Sequence, residues 1–233
     1  MRRLLLASNS TNHGAGYLDH LADEIASFLA PLRRVAFVPF ALADRAGYSA
    51  RASARLGLLD LDVAEVTADA AGHRTLLDAE AVFVGGGNTF RLLDTLQQSG
   101  LLPLLAERAH AGMPYLGASA GTNLAGPTIR TTNDMPIVQP ASFASLGLVP
   151  FQINPHYLDS DPASTHMGET REQRLREFHE ENATPVLGLR EGAWLRVEGE
   201  RGWLGGLGGA RLFRRDATPR ELAPDASVDE LLA

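Results

Sequence analysis

Hydrophobic positions along this chain follow two rhythms. Short unbroken apolar runs, Arg3–Ser8, Arg34–Phe40, Val63–Thr67, Ala81–Val84 and Pro114–Gly117, predict strands buried on both faces. Between them, apolar residues recur every three or four positions over Tyr17–Leu29, Tyr48–Leu58, Arg74–Ala79, Thr89–Gln98 and Leu101–His110, which predicts amphipathic helices. Strands alternating with helices predict an α/β fold of three layers, a mostly parallel sheet with helices on both faces. The rhythm changes after Ser119. Pro127, Pro136, Pro140, Pro150 and Pro155 punctuate a long irregular stretch, relieved by one apolar run, Phe151–Asn154. A helix is predicted over Arg171–Glu181, opened by Thr170-Arg171-Glu172-Gln173. In that capping box the Thr and Gln side chains satisfy free N–H groups reciprocally. Val186–Leu189, Trp194–Val197, Trp203–Leu204 and Arg211–Arg214 predict C-terminal antiparallel strands, set beside the main sheet as an appendage. No linker or repeat divides the chain, so residues 1–233 read as one domain, with 219–233 as a partly ordered tail.

Composition narrows the chemistry. No apolar run approaches the ~18 residues of a membrane span. The short apolar start at Met1–Leu6 is ended by Asn9, Ser10 and Asn12 and reads as a buried strand, not a leader. The net charge of −7 argues against nucleic acid as a partner, because phosphate binding needs a basic face. The chain has no cysteine, which excludes a thiolate nucleophile, disulfides and Cys-ligated metal. It also has no lysine, which excludes a P-loop of the G-x-x-x-x-G-K-[ST] type and any Schiff base on the chain.

Two motifs carry the candidate chemistry. Gly117-Ala118-Ser119-Ala120-Gly121 follows the strand Pro114–Gly117, and a G-x-S-x-G turn from strand to helix lifts a serine hydroxyl above the sheet. The bland alternative is a small residue in a tight turn. Ala81–Val84 runs into Gly85-Gly86-Gly87, with Asn88 as the N-cap of the next helix. This loop reads either as an anion or nucleotide cradle or as an oxyanion hole, with an N–H from Gly86 or Gly87 paired with that of Ala120. A dinucleotide fingerprint would need glycine where Phe90 stands. Among seven histidines, His156 is the candidate base, because Phe151–Asn154 ends in a Pro155-fixed turn at a sheet edge. His166, in a polar loop, competes. The orienting acid is Asp134 or Glu191. A metal cluster of Asp159, Asp161, His166 and Glu169 fits no standard spacing, so no metal or other cofactor is expected.

These residues carry a family likeness. Residues 6–10, 84–90, 117–121, 127–138, 152–156 and 168–174 occur in order, and the chain resembles peptidase E, the α-aspartyl dipeptidase family of serine peptidases. The resemblance implies a flavodoxin-like sheet, related to class I glutamine amidotransferases, with serine in place of cysteine. It implies cytoplasmic, metal-free hydrolysis of dipeptides with an N-terminal aspartate, by a monomer or homodimer. Ser119 matches the nucleophile and His156 its base, while Asp134 and Glu191 both match positions for the third member. Arg171 matches an arginine for the substrate's side-chain carboxylate, and Asn88 joins it as a substrate-binding candidate. The family usually has Trp before the serine where this chain has Ala118, and the missing indole is expected to enlarge or reshape the pocket, which puts strict aspartyl selectivity in doubt. Two rival readings are an exopeptidase for another acidic linkage, such as β-aspartyl-arginine, and a small-anion or nucleotide binder using Gly85–Gly87.

Overall fold

The computed structural model describes residues 1–160 and 168–233. Strands β1 (Arg3–Ala7), β2 (Arg34–Val38), β3 (Asp62–Glu65), β4 (Ala81–Val84) and β5 (Tyr115–Ala118) run parallel in the order β3-β2-β4-β5-β1. Helices α1 (Ala22–Leu29) and α2 (Arg45–Gly57) cover one face of this sheet. α3 (Ala70–Asp78), α4 (Thr89–Gln98) and α5 (Leu101–His110) cover the other. β1 shows why its sequence is continuously apolar. Leu5 and Ala7 pack with Ile25, Phe28 and Leu56, whereas Leu4 and Leu6 pack with Leu92, Leu96 and Leu105. With both faces covered, no position is left for a polar residue. β3 lies at the sheet edge and alternates between exposed and half-buried positions.

Helix starts are set by caps upstream of the apolar rhythm. α2 begins at Arg45, not Tyr48, because Asp44 accepts from Gly47 N–H at 2.9 Å. α3 begins at Ala70, not Arg74, because Asp69 accepts from Ala71 N–H at 2.9 Å. A short helical turn, Asp19–Leu21, precedes α1 within the stretch predicted as one helix.

The later elements are α6 (Ala120–Leu124), β6 (Gln152–Tyr157), α7 (Arg171–Glu181), β7 (Val186–Arg190), β8 (Ala193–Glu198), β9 (Arg201–Gly206), β10 (Ala210–Phe213) and β11 (Arg220–Leu222). They do not form the single antiparallel appendage that the sequence predicts. β8 pairs antiparallel with β1, and β9 with β8, so the main sheet has seven strands. β11-β10-β7-β6 form a second sheet, in which β6 and β7 are parallel. Apolar alternation marks a strand without naming its partner. Residues 219–233 contain β11 and pack on β9, with Val228, Leu231 and Leu232 buried and Gly202 N–H donating to Asp229 Oδ1 at 2.7 Å.

Candidate active site

β1, β4 and β5 end side by side, where open parallel sheets gather their sites. Ser119 joins β5 to α6 with φ 53° and ψ −107°, a conformation that costs a non-glycine residue about 1–3 kcal/mol. Its N–H donates to Ala7 O at 3.0 Å, which pins the bend to β1. The flanking glycines are required by close approach. A Cβ on Gly121 would stand 2.1 Å from Val84 O, and one on Gly117 would stand 2.7 Å from Gly121 O. The hydroxyl therefore projects into a cavity of about 420 Å³ lined by Asn9, Thr11, Leu42, Tyr48, Arg51, Gly86, Gly87, Asp134 and His156.

The imidazole of His156 faces that hydroxyl, with Ser119 Oγ 2.8 Å from Nε2. His156 does not sit in a turn as expected. It is a bulge inside edge strand β6, with the register shifting between Pro155 and Tyr157 and φ at +53°. Its N–H donates to Ser8 Oγ at 2.8 Å, and Ser8 Oγ donates to Leu189 O at 2.8 Å. Buried Ser8 thus ties the end of β1 to β6 and β7 of the second sheet. His156 Nδ1 meets Glu191 Oε1 at 2.8 Å. Glu191 stands in the turn from β7 to β8, held by Gly192 N–H donating to Asn9 Oδ1 at 2.7 Å.

Asp134 is not on the imidazole. Its Oδ2 accepts from Thr89 N–H at 2.7 Å and from Thr89 Oγ1 at 2.6 Å, closing the first turn of α4. It still lines the cavity. Asn88 caps α4 by accepting from Arg91 N–H at 3.0 Å and donates to Met135 O at 2.8 Å. Both ends of its amide serve structure, so it is not presented to a substrate as expected.

The glycine loop is only partly available to a ligand. Gly86 N–H donates to Tyr48 Oη at 2.8 Å, so this amide is already spent, contrary to its expected place in an oxyanion hole. Gly87, at φ +133°, and Ala120, the first residue of α6, keep N–H groups with no acceptor among the described residues. Arg171 opens α7 inside the capping box, between Thr170 and Gln173. Partial burial and neighbouring Arg174 pull its pKa down, and the charge of Asp134 opposes them. Ala118 is fully buried with Ala7 and Leu116 on the face covered by α1 and α2, and it does not line the cavity. The enlarged pocket expected from the missing indole therefore does not follow.

His166 and Asp161 lie outside the described residues. Asp159 is taken by Arg190, at 2.7 and 3.0 Å, and Glu169 faces Arg174 at 3.5 Å. The sequence reading passed over Ser8, Tyr48 and Arg51. Ser8 and Asn9 end a predicted strand at the sheet's C-terminal edge, which was the available signal; Tyr48 and Arg51 looked like ordinary helix positions.

The model for peptidase family S51 matches residues 4–204. The chain belongs to peptidase family S51. Among its curated relatives, it is 60% identical to "Peptidase E" of Streptomyces coelicolor over 229 residues, covering 98% of this chain and 94% of the relative. It is 46% identical to "Probable alpha-aspartyl dipeptidase" of Drosophila melanogaster over 234 residues, covering 99% and 98%. A crystal structure of a peptidase from an acI-B1 Actinobacterium shares the fold at TM-score 0.74 and 16% identity, over 98% of this chain and 96% of that one. In this S51 peptidase, the strand-to-helix serine and the bulged histidine both lie within the span that the family model matches.

Proposed function

We propose that the chain is a serine dipeptidase cleaving Asp-Xaa dipeptides through an acyl-enzyme on Ser119. The observation that carries this reading is the unbroken line from Ser119 Oγ to His156 Nε2 and from Nδ1 to Glu191 Oε1, each link 2.8 Å. Ser119 Oγ adds to the peptide carbonyl carbon while its proton passes to His156 Nε2. Glu191 holds the tautomer that leaves Nε2 free to accept and offsets the imidazolium charge. The amides of Gly87 and Ala120 take the oxyanion, each worth about 10²–10³ in rate. When the C–N bond breaks, the imidazolium protonates the departing amine. Water then adds to the aspartyl ester, its proton passes to Nε2, and Ser119 Oγ leaves with that proton as aspartate is freed.

Selection for aspartate falls to Arg171 and Asp134. Arg171 does not itself line the cavity, but its charge is coupled to that of Asp134, which does, and a guanidinium can grip a carboxylate bidentately. Asp134, anchored by Thr89 and facing the cavity, suits the substrate's α-ammonium. We read the chain as one domain working on small peptides in the cytoplasm, as a monomer or homodimer. Among the described residues no helix is long and apolar enough to cross a membrane.

The test is a panel of Asp-Leu, Glu-Leu and β-Asp-Arg with chelator present. Wild type should cleave Asp-Leu best, and Ser119→Ala should lose about 10⁴-fold or more in kcat. A Ser119→Ala variant that still turns over Asp-Leu would refute the acyl-enzyme. A preference for β-Asp-Arg would move the enzyme to that linkage.

A further inference from the structure

Arg51 has no part in the mechanism above, yet it lines the same cavity as Ser119 and His156. It lies on α2, one turn after Tyr48, and its guanidinium carbon sits 4.9 Å from the Tyr17 ring centre and 5.0 Å from that of Tyr48. Tyr48 is itself buried and bound through its hydroxyl to Gly86 N–H. The cation therefore stands within cation–π distance of two rings set at 68° to each other, one of them fixed to the glycine loop, which limits its side-chain freedom. Its neighbour Arg55 on the same helix pairs with Asp19 at 3.2 Å, whereas Arg51 meets no carboxylate among the described residues.

An Asp-Xaa dipeptide carries three charges: an ammonium, a side-chain carboxylate and a terminal carboxylate. The proposed function engages the first two, through Asp134 and Arg171. Resting on that reading, we propose that Arg51 binds the free C-terminal carboxylate of the substrate's second residue and so restricts the enzyme to dipeptides. A tripeptide would place a neutral amide where the carboxylate belongs, and would forfeit the charge-assisted pair. Its third residue would also have to pass the guanidinium. Size selection then comes from a charge placed at a fixed reach from Ser119, with no need for a closing lid.

The test compares Asp-Leu, Asp-Leu-amide and Asp-Leu-Leu on wild type, Arg51→Met and Arg51→Lys. Met keeps apolar bulk over the tyrosines without the charge, and the exposed position spares the fold. Wild type should favour Asp-Leu over its amide by about 10–100-fold in kcat/KM, a range suited to a partly exposed charge-assisted pair. Arg51→Met should erase that ratio, with the loss on Asp-Leu falling mainly on KM and the amide rate unchanged. Arg51→Lys should restore most of it. Equal losses on Asp-Leu and its amide would overturn the assignment, since Arg51 would then act through Tyr48 and the glycine loop. A wild type that does not distinguish the two substrates would overturn it as well. Wild type inert toward all three would refute the dipeptidase reading itself.

Discussion

Ser119 and His156, the two side chains that meet at 2.8 Å, both have φ of +53°. Each such residue costs about 1–3 kcal/mol, and the strain persists only where neighbours over-determine it. Here Ala7 O holds Ser119 N–H and Ser8 Oγ holds His156 N–H, so successive residues of one strand end fix both. The same scale separates the two acids. Glu191→Gln should lower kcat on Asp-Leu by about 10²–10⁴, the usual worth of properly poised acid–base catalysis. Asp134→Asn should leave more of kcat and instead raise KM, while loosening the first turn of α4 by about 1 kcal/mol. Steady-state kinetics with thermal melts will check this, and equal kcat losses would mean that Glu191 is not the orienting acid.

Elements convert these local geometries into fixed directions. The β5–α6 elbow works only if its glycines let α6 pass close to β4. Gly121→Ala forces a Cβ to 2.1 Å from Val84 O, a backbone atom that cannot swing aside, so it should destabilise by about 3 kcal/mol. Chemical denaturation should show this as a lower midpoint at unchanged slope. α7 presents Arg171 from its first residue, inside the reciprocal Thr170–Gln173 cap. Thr170→Ala should cost about 1 kcal/mol in stability and raise KM for Asp-Xaa with little change in kcat. A kcat loss comparable to that of Ser119→Ala would argue that α7 also supports the reacting groups.

At the scale of the molecule, the site is assembled from two sheets. Ser119 comes from the main sheet, His156 from edge strand β6 of the second, Glu191 from the turn that follows β7, and Ser8 links the two sheets. Ion pairs brace that second sheet. Arg190 binds Asp159 at 2.7 Å and Glu221 at 2.8 Å, and Arg211 binds Glu172 at 3.0 Å. The Arg190 hydrogen bond holds the Asp159 carboxyl below the ordinary carboxylate range. A depressed folded-state pKa adds stability above the unfolded value, and that stability is lost as pH falls through the folded value. Asp159→Asn should therefore lower the melting temperature at pH 7, and the gap to wild type should narrow below roughly pH 4. A gap of constant size at pH 3 would show that the charge is not what matters.

Local sequence leaves His156 and His166 both open as the base, but it spells out the alternating α/β plan, the bend at Ser119 and the α7 cap. Each of these is written in a local rhythm or a short spacing that neighbouring residues alone can enforce. Long-range contacts bring β8 and β9 onto the main sheet, Glu191 and not Asp134 to the imidazole, Tyr48 to the amide of Gly86, and Arg51 into the cavity. Those outcomes depend on which strand pairs with which and on contacts between residues tens of positions apart. Burial of apolar surface fixes them collectively, and no stretch of chain records them alone.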